Sequence, residues 1–259
     1  MEQVISSCKN PRIKYLLTLQ QKSSERRCSG LFLVEGQREL KHCLEAGFEV
    51  VELYLCPELL ISDFQYSAFN TQIVTPAVYE RIAYRGTTEG LMAIVKARHL
   101  MLTDLKLSSN PLIVVLESVE KPGNLGAILR SADAAGADAV IVCDPLTDLY
   151  NPNLIRASIG AIFTIPTVTC SSAECIKFLQ EHNIQILTAQ LQDSHPYYDT
   201  EMRLPTAIVM GTESTGLTDQ WRQVATAHIR IPMLGKLDSL NVSVSSAILL
   251  YEAVRQREE

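Results

Sequence analysis

From Pro111 to the C-terminus the chain repeats one pattern, a short apolar run, a turn and an amphipathic stretch. PLIVVLESV, DAVIVCD, IQILTAQ, TAIVMG and HIRIPM carry little of the polar alternation expected of a half-exposed strand. Each therefore reads as a strand buried on both faces. Between them, NLGAILRSADAA (stopped by Gly136), SAECIKFLQEHN and TDQWRQVA have helical spacing, and LIRASIGAIF reads as one further helix, followed by the strand TIPTV. Buried strands separated by helices predict an α/β fold, a parallel sheet with helices on both faces. Ligands in such sheets bind beyond the carboxyl ends of the strands.

The preceding residues divide differently. Residues 1–28 read as a basic helical arm, with Ile13, Leu16, Leu17 and Leu19 spaced for one helical face after Asn10-Pro11. Residues 29–98 form a smaller α/β unit: strand LFLVEG, helix QRELKHCLEAG, strand VVELYLC, a helix after Thr75-Pro76, and strand GLMAIVKA. Residues 99–110 read as a linker, and 111–259 as the second domain.

Charge narrows the classes of partner. The net charge of −6 excludes indiscriminate coating of nucleic acid. In the arm, however, Lys9, Arg12, Lys14, Lys22, Arg26 and Arg27 face only Glu2 and Glu25, six cations against two acids. A basic arm on an acidic body suits a partner whose phosphates touch one region; a solvated helix is the other reading. No apolar run is long enough for a membrane span, and the N-terminus lacks the features of a secretory signal. The seven cysteines are dispersed without a C-x-x-C pair, and the histidines are dispersed too. This pattern predicts no disulfide framework, no metal site and a cytoplasmic protein.

Three segments carry chemistry. In Lys121-Pro122-Gly123-Asn124-Leu125-Gly126, Pro and Gly turn the chain after a strand, and Asn124 is expected to cap the next helix. Arg130 lies under two turns further on; its guanidinium either leans back to the loop mouth or pairs with Asp133. Gly211 and Gly216 bracket a loop after a buried strand, where Glu213 either organises the site or is an exposed turn residue. IRIPMLGKLDSLNVSVSSAILLYEAVRQ then runs from a strand through Asp238-Ser239-Leu240-Asn241 into a helix with the buried stripe Val244, Ala247, Ile248 and Tyr251. Neither dinucleotide nor nucleoside triphosphate fingerprints are present, which excludes an ordinary doubly wound dehydrogenase.

Taken in order, NLGAILR, VMGTESTG and IPMLG…SLNVSVSSA resemble the three motifs of the SpoU (TrmH-type) RNA 2′-O-ribose methyltransferases, over Pro111 to the end. The segment from GLFLVEGQREL onward resembles, more loosely, the L30e-like substrate-binding domain that often precedes that catalytic domain. The resemblance implies a deep C-terminal trefoil knot, S-adenosylmethionine as methyl donor and a homodimer. It implies donor contacts from Ala189, Gly211, Ile231, Met233, Ser239 and Leu240, and an acceptor side organised by Asn124, Arg130, Glu213 and Asn241. Ser245-Ser246 stands where the family more often has an alanine-rich or Asn-Ala run; both are small.

The implied function is methylation of a ribose 2′-hydroxyl in RNA, with 23S rRNA favoured over tRNA and no metal required. A non-catalytic RNA-binding or ribosome-assembly factor of the same fold is the alternative. Lys9, Arg12, Lys14, Arg26, Arg27, Arg38 and Arg85 are expected to meet RNA phosphates, and Tyr84 either stacks on a base or packs.

Overall fold

A computed structural model describes residues 4–61, 64–84 and 89–258. Contacts between Cα atoms divide the chain into two units, Met1–Arg98 with Asp148–Thr164, and His99–Thr147 with Ile165–Glu259.

In the first unit, helices α1 (Pro11–Gln21) and α2 (Ser23–Ser29) lead to strand β1 (Leu31–Glu35), followed by α3 (Gln37–Glu45), β2 (Val50–Leu55), β3 (Thr71–Ile73), α4 (Pro76–Ile82) and β4 (Leu91–Lys96). The four strands are ordered β1-β4-β2-β3, antiparallel except for the parallel β2–β3 pair. The short β3 was not anticipated, since TQI is too brief to show a period. Asn10 caps α1 through Arg12 N–H, with Pro11 at the first helical position. Ile13, Leu16 and Leu19 of α1 are buried in one cluster with Leu33, Tyr54, Val78 and Tyr79, so this helix completes the unit's core.

That packing corrects one expectation. Arg26 is buried: its Nε donates to Asp148 at 2.5 Å and its Nη1 to the Leu19 carbonyl at 2.6 Å. The side chain is a clamp on the turn between α1 and α2, with no face left for a phosphate.

Asp148 belongs to a segment whose neighbours in sequence lie in the second unit. Here α6 (Pro152–Ser158) and α7 (Ala161–Thr164) replace the single helix expected for LIRASIGAIF. The break falls at Ile159 and Gly160, both at positive φ. A β-branched residue in that conformation is costly, and packing holds it there. A Cβ on Gly160 would meet the His42 ring at 3.1 Å, so α7 approaches α3 closely at this point. Aromatic packing explains the segment's allegiance: Tyr150 stacks on Phe32 at 4.1 Å between centroids, and Phe163 meets Phe48 edge-on at 5.3 Å.

The second unit contains β5 (Leu112–Glu117), α5 (Pro122–Ala134) and β6 (Ala139–Cys143). It resumes with β7 (Thr167–Cys170), α8 (Ser172–Glu181), β8 (Gln185–Ala189), β9 (His195–Pro196), β10 (Thr206–Met210), α9 (Asp219–Val224), β11 (Ala227–Arg230) and α10 (Val242–Glu258). All seven strands are parallel, in the order β7-β6-β5-β10-β8-β11-β9. The two-residue β9 escaped the sequence reading because so short a strand has no pattern.

Alternate residues of β5 serve the two faces. Ile113 and Val115 share a buried cluster with Cys175, Phe178, Leu179 and Trp221 of α8 and α9, while Val114 and Leu116, equally buried, turn the other way. Helix α5 packs on β6, and α10 on both α5 and β10. The expected linker is itself packed: Leu102, Leu105 and Leu107 lie against the α8–α9 side of the core. Trp221, the single tryptophan, is fully buried with its indole N–H donated to Ser172 Oγ at 3.2 Å.

Replacing Arg26 with Met leaves Asp148 without its cation, a loss of about 3–5 kcal/mol for a buried pair. Urea unfolding followed through the first unit's tyrosines is expected to show that loss; an unchanged midpoint would mean that Arg26 is solvated.

Candidate active site

The carboxyl ends of β8, β10 and β11 open onto a cavity of about 710 Å³. That is within the range of small-molecule sites, roughly 300–1,000 Å³. Three loops build it: 189–192 after β8, 210–217 after β10, and 229–241 between β11 and α10. Gly211, Ile231 and Leu240 line it together, as do Ala189, Met233 and Ser239. Met210, Ile231 and Leu249 supply apolar wall, and Glu213 and Asp238 supply carboxylates. Among the described residues, Gln190 Oε1 and Arg222 Nε are buried there without a hydrogen-bond partner. An unmet acceptor and an unmet donor in one cavity wall suit a polar ligand rather than a dry core.

The shape of the 211–217 loop has a local cause. A Cβ on Gly211 would lie 2.3 Å from the Gly216 backbone, so the glycine is required by the chain doubling back on itself. Gly216 turns the chain at φ +68°, and its N–H donates to the Thr212 carbonyl at 3.1 Å. Inside the turn, Thr212 Oγ1 accepts from the Thr215 N–H at 3.0 Å. The far end is anchored by Glu117, a buried carboxylate that accepts from the Thr218 N–H at 2.8 Å and its hydroxyl at 2.7 Å.

A smaller cleft of about 110 Å³ shares Gly211, Glu213 and Val242 with the cavity and adds Lys121 and Asn124. Here the three sequence segments meet through hydrogen bonds. Asn241 Nδ2 donates to Glu213 Oε1 at 2.9 Å and to Asn124 Oδ1 at 3.1 Å, while Asn124 Nδ2 donates to Glu213 Oε1 at 3.0 Å. Glu213 Oε2 accepts from Lys121 Nζ at 2.5 Å. Asn241 also caps α10, its Oδ1 accepting the Ser243 N–H at 3.0 Å.

Lys121, with further help from Asn124, holds the Glu213 carboxyl below the usual carboxylate range, and Glu213 in turn raises the Lys121 ammonium. A depressed carboxyl pKa means that the anion's contacts are complete above the ordinary carboxylate range and disappear only as pH falls through the lower, folded value. Glu213 is therefore ionised, acceptor-only and a poor proton acceptor near neutral pH.

Two expectations change. Helix α5 begins at Pro122, with Lys121 in the capping position, so Asn124 lies inside the first turn. Proline is favoured at the first helical position, which pulls the start upstream and frees the Asn124 side chain for Glu213. Arg130 is exposed on α5, lines neither cavity nor cleft, and makes no hydrogen bond or ion pair with any described residue. Lys121 joins the site without having been among the expected residues; its one signal in the sequence is the Lys-Pro-Gly that immediately precedes Asn124.

With this geometry established, comparison with known proteins decides the family. Residues 111–251 match the SpoU rRNA Methylase family, and residues 10–93 match the MRM3-like substrate binding domain. The chain belongs to the SpoU rRNA methylase family. It is similar to the 23S rRNA (guanosine-2′-O-)-methyltransferase RlmB of Vibrio parahaemolyticus, with 36% identity over 204 residues, 76% of this chain and 83% of that protein. A crystal structure of an RNA 2′-O ribose methyltransferase superimposes with a TM-score of 0.88 at 40% identity, covering 99% of this chain and 100% of that one. An AdoMet-bound rRNA methyltransferase from Sinorhizobium meliloti gives a TM-score of 0.89 at 28% identity, covering 98% and 97%.

The basic residues of the first unit sort by exposure. Lys9, Lys14 and Arg27 are exposed; Arg12 is exposed but pairs with Glu52, and Arg38 lies 3.4 Å from Glu39. Arg85 lies outside the described residues. An unanticipated candidate is Arg156, exposed on α6 with its guanidinium 6.0 Å from the Tyr84 ring centroid. It was overlooked because its segment read as part of the second domain.

Gly211→Ala drives a methyl group into the Gly216 backbone and is expected to cost about 1–3 kcal/mol. Hydrogen exchange at the Gly216 amide should quicken accordingly; unaltered protection would show that the loop does not depend on this approach.

Proposed function

We propose that the chain is an S-adenosylmethionine-dependent methyltransferase that acts on a ribose 2′-hydroxyl of a guanosine in 23S rRNA, in the cytoplasm. One observation carries this reading: residues of the second and third segments line one cavity, and Asn124 of the first joins Glu213 and Asn241 through mutual hydrogen bonds at the cleft beside it. The names of the related enzymes supply the substrate class and the donor.

The residues present fit the donor. Ala189, Gly211, Ile231, Met233, Ser239 and Leu240 would hold it, and the partnerless Gln190 Oε1 and Arg222 Nε offer an acceptor and a donor to its polar groups. When bound, it supplies an electrophilic methyl group on a sulfonium. The chain's residues orient the hydroxyl and stabilise charge that develops as the hydroxyl ionises. Asn124 and Asn241, fixed by ionised Glu213, position the acceptor at the cleft beside Lys121.

Arg130 is the cation for the phosphate next to the target. Its guanidinium stays protonated, so it lowers the hydroxyl's pKa by charge and leaves the proton to a phosphate oxygen or water. Because Arg130 lines neither the cavity nor the cleft of its own chain, the reading includes a homodimer in which a second copy brings it to the acceptor. The stripe expected to be buried on α10 is instead its open side: Val244 and Tyr251 are exposed while Leu249, Leu250 and Ala253 are buried, which is compatible with such a face. The reading includes the knot implied by the family resemblance, in which the C-terminal segment would thread a loop and fold back. In the first unit, Lys9, Arg12, Lys14, Arg27, Arg38 and Arg85 contribute phosphate contacts, and the Arg156–Tyr84 pair offers a stacking surface to an unpaired base.

An unmodified 23S rRNA transcript incubated with the protein and S-adenosylmethionine should acquire one ribose methylation at a guanosine, mapped by mass spectrometry. Arg130→Ala should lower kcat on the order of a hundredfold while donor affinity is unchanged. Wild-type turnover in that variant rejects its catalytic role. Failure to bind the donor favours the non-catalytic RNA-binding alternative.

A further inference from the structure

The dispersal of cysteines in the sequence conceals a cluster in the fold. Cys143 ends β6, Cys170 ends β7 and Cys175 lies in the first turn of α8, with their three Sγ atoms all within 4.8 Å of one another. Cys143 and Cys175 are buried in the core between the sheet and α8, whereas Cys170 at its edge is partly exposed. The proposed methyl transfer uses none of them.

Cys143 and Cys170 are register partners in adjacent parallel strands, so their side chains leave the same face. Neighbouring strands lie about 4.8 Å apart. That spacing is inside the roughly 4.4–6.8 Å of Cα separation that a disulfide spans. The two sulfurs already lie within 4.8 Å, so a small adjustment of the strand ends lets them join.

We propose that this cluster is an oxidation site, in which a hydroperoxide attacked by Cys170 leaves a Cys143–Cys170 disulfide. The Cys170 thiolate displaces hydroxide or alkoxide from the peroxide O–O bond and becomes a sulfenic acid. Cys143 then attacks the Cys170 sulfur, its thiol proton leaving with the displaced oxygen as water. Two thiols lose two electrons, and the peroxide is reduced to water, or to an alcohol and water. Hydrogen bonds from the Cys143 and Cys175 thiols lower the Cys170 thiol from its ordinary value, while burial, Glu174 and Asp144 push the other way. A partly exposed Cys170 with a second sulfur already in register is the pairing through which a sulfenic acid resolves to a disulfide.

The test uses the full chain exposed to hydrogen peroxide, followed by alkylation of remaining thiols and peptide mass mapping. Exposed Cys8 and Cys28 serve as internal standards for ordinary thiol oxidation. A Cys143–Cys170 disulfide, reversed by dithiothreitol, is expected in the wild type and in Cys175→Ser. In Cys170→Ser, a conservative change at a partly exposed position, oxidation of Cys143 should slow on the order of tenfold or more. Urea unfolding confirms that each variant remains folded. Full alkylation of Cys143 and Cys170 after Cys8 and Cys28 have oxidised overturns the proposal. So does wild-type oxidation of Cys143 in Cys170→Ser, or accumulation of Cys170 sulfinic acid without a disulfide.

Discussion

The Glu213 carboxylate is the interaction on which the second unit's site depends. It gathers Lys121 and Asn124 from the start of α5 and Asn241 from the start of α10, residues separated by up to 120 positions in sequence. Two asparagines alone would hold these ends weakly, because a neutral hydrogen bond contributes about 1 kcal/mol net. An ionised acceptor strengthens each contact, and the lysine keeps that acceptor ionised. Because the group is largely open to water, its value lies in orientation more than in stability.

Around that carboxylate the backbone does the shaping. Parallel strands deliver β8, β10 and β11 to the same end of the sheet, so three loops emerge side by side with no element between them. Gly211 lets one loop fold on itself, and buried Glu117 fixes where that loop ends by taking both hydrogen bonds of Thr218. Glu117 also accepts from Ser172 Oγ, the atom to which Trp221 donates, which joins the loop's anchor to the first turns of α8 and α9. One carboxylate is thus buried as a structural hub and the other exposed as an organiser of the cleft.

Much of this was legible in the residues. Short β-branched apolar runs such as IVVL and AVIV, alternating with amphipathic stretches, fit strands buried on both faces, and the parallel sheet follows from that alternation. The convergence of Gly211, Ile231 and Leu240 came from the family resemblance, since no periodicity relates loops that meet only in the fold. Long-range pairing was illegible: nothing local marks Arg26 as the partner of Asp148, and a basic run looks the same whether solvated or clamped. Residues 148–164 misled for a related reason. Their helical spacing fits a crossover between β6 and β7, whereas the stacking of Tyr150 on Phe32 assigns them to the first unit. The three clustered cysteines, from two strands and a helix, escaped every spacing rule.

Calorimetric titration of S-adenosylmethionine into wild-type protein and Glu213→Ala tests the central claim most directly. If the carboxylate holds the loops that form the cavity, the wild type binds one donor per chain and the variant binds on the order of tenfold more weakly. Equal affinity in a folded variant would show that the cavity stands without it and would contradict the account.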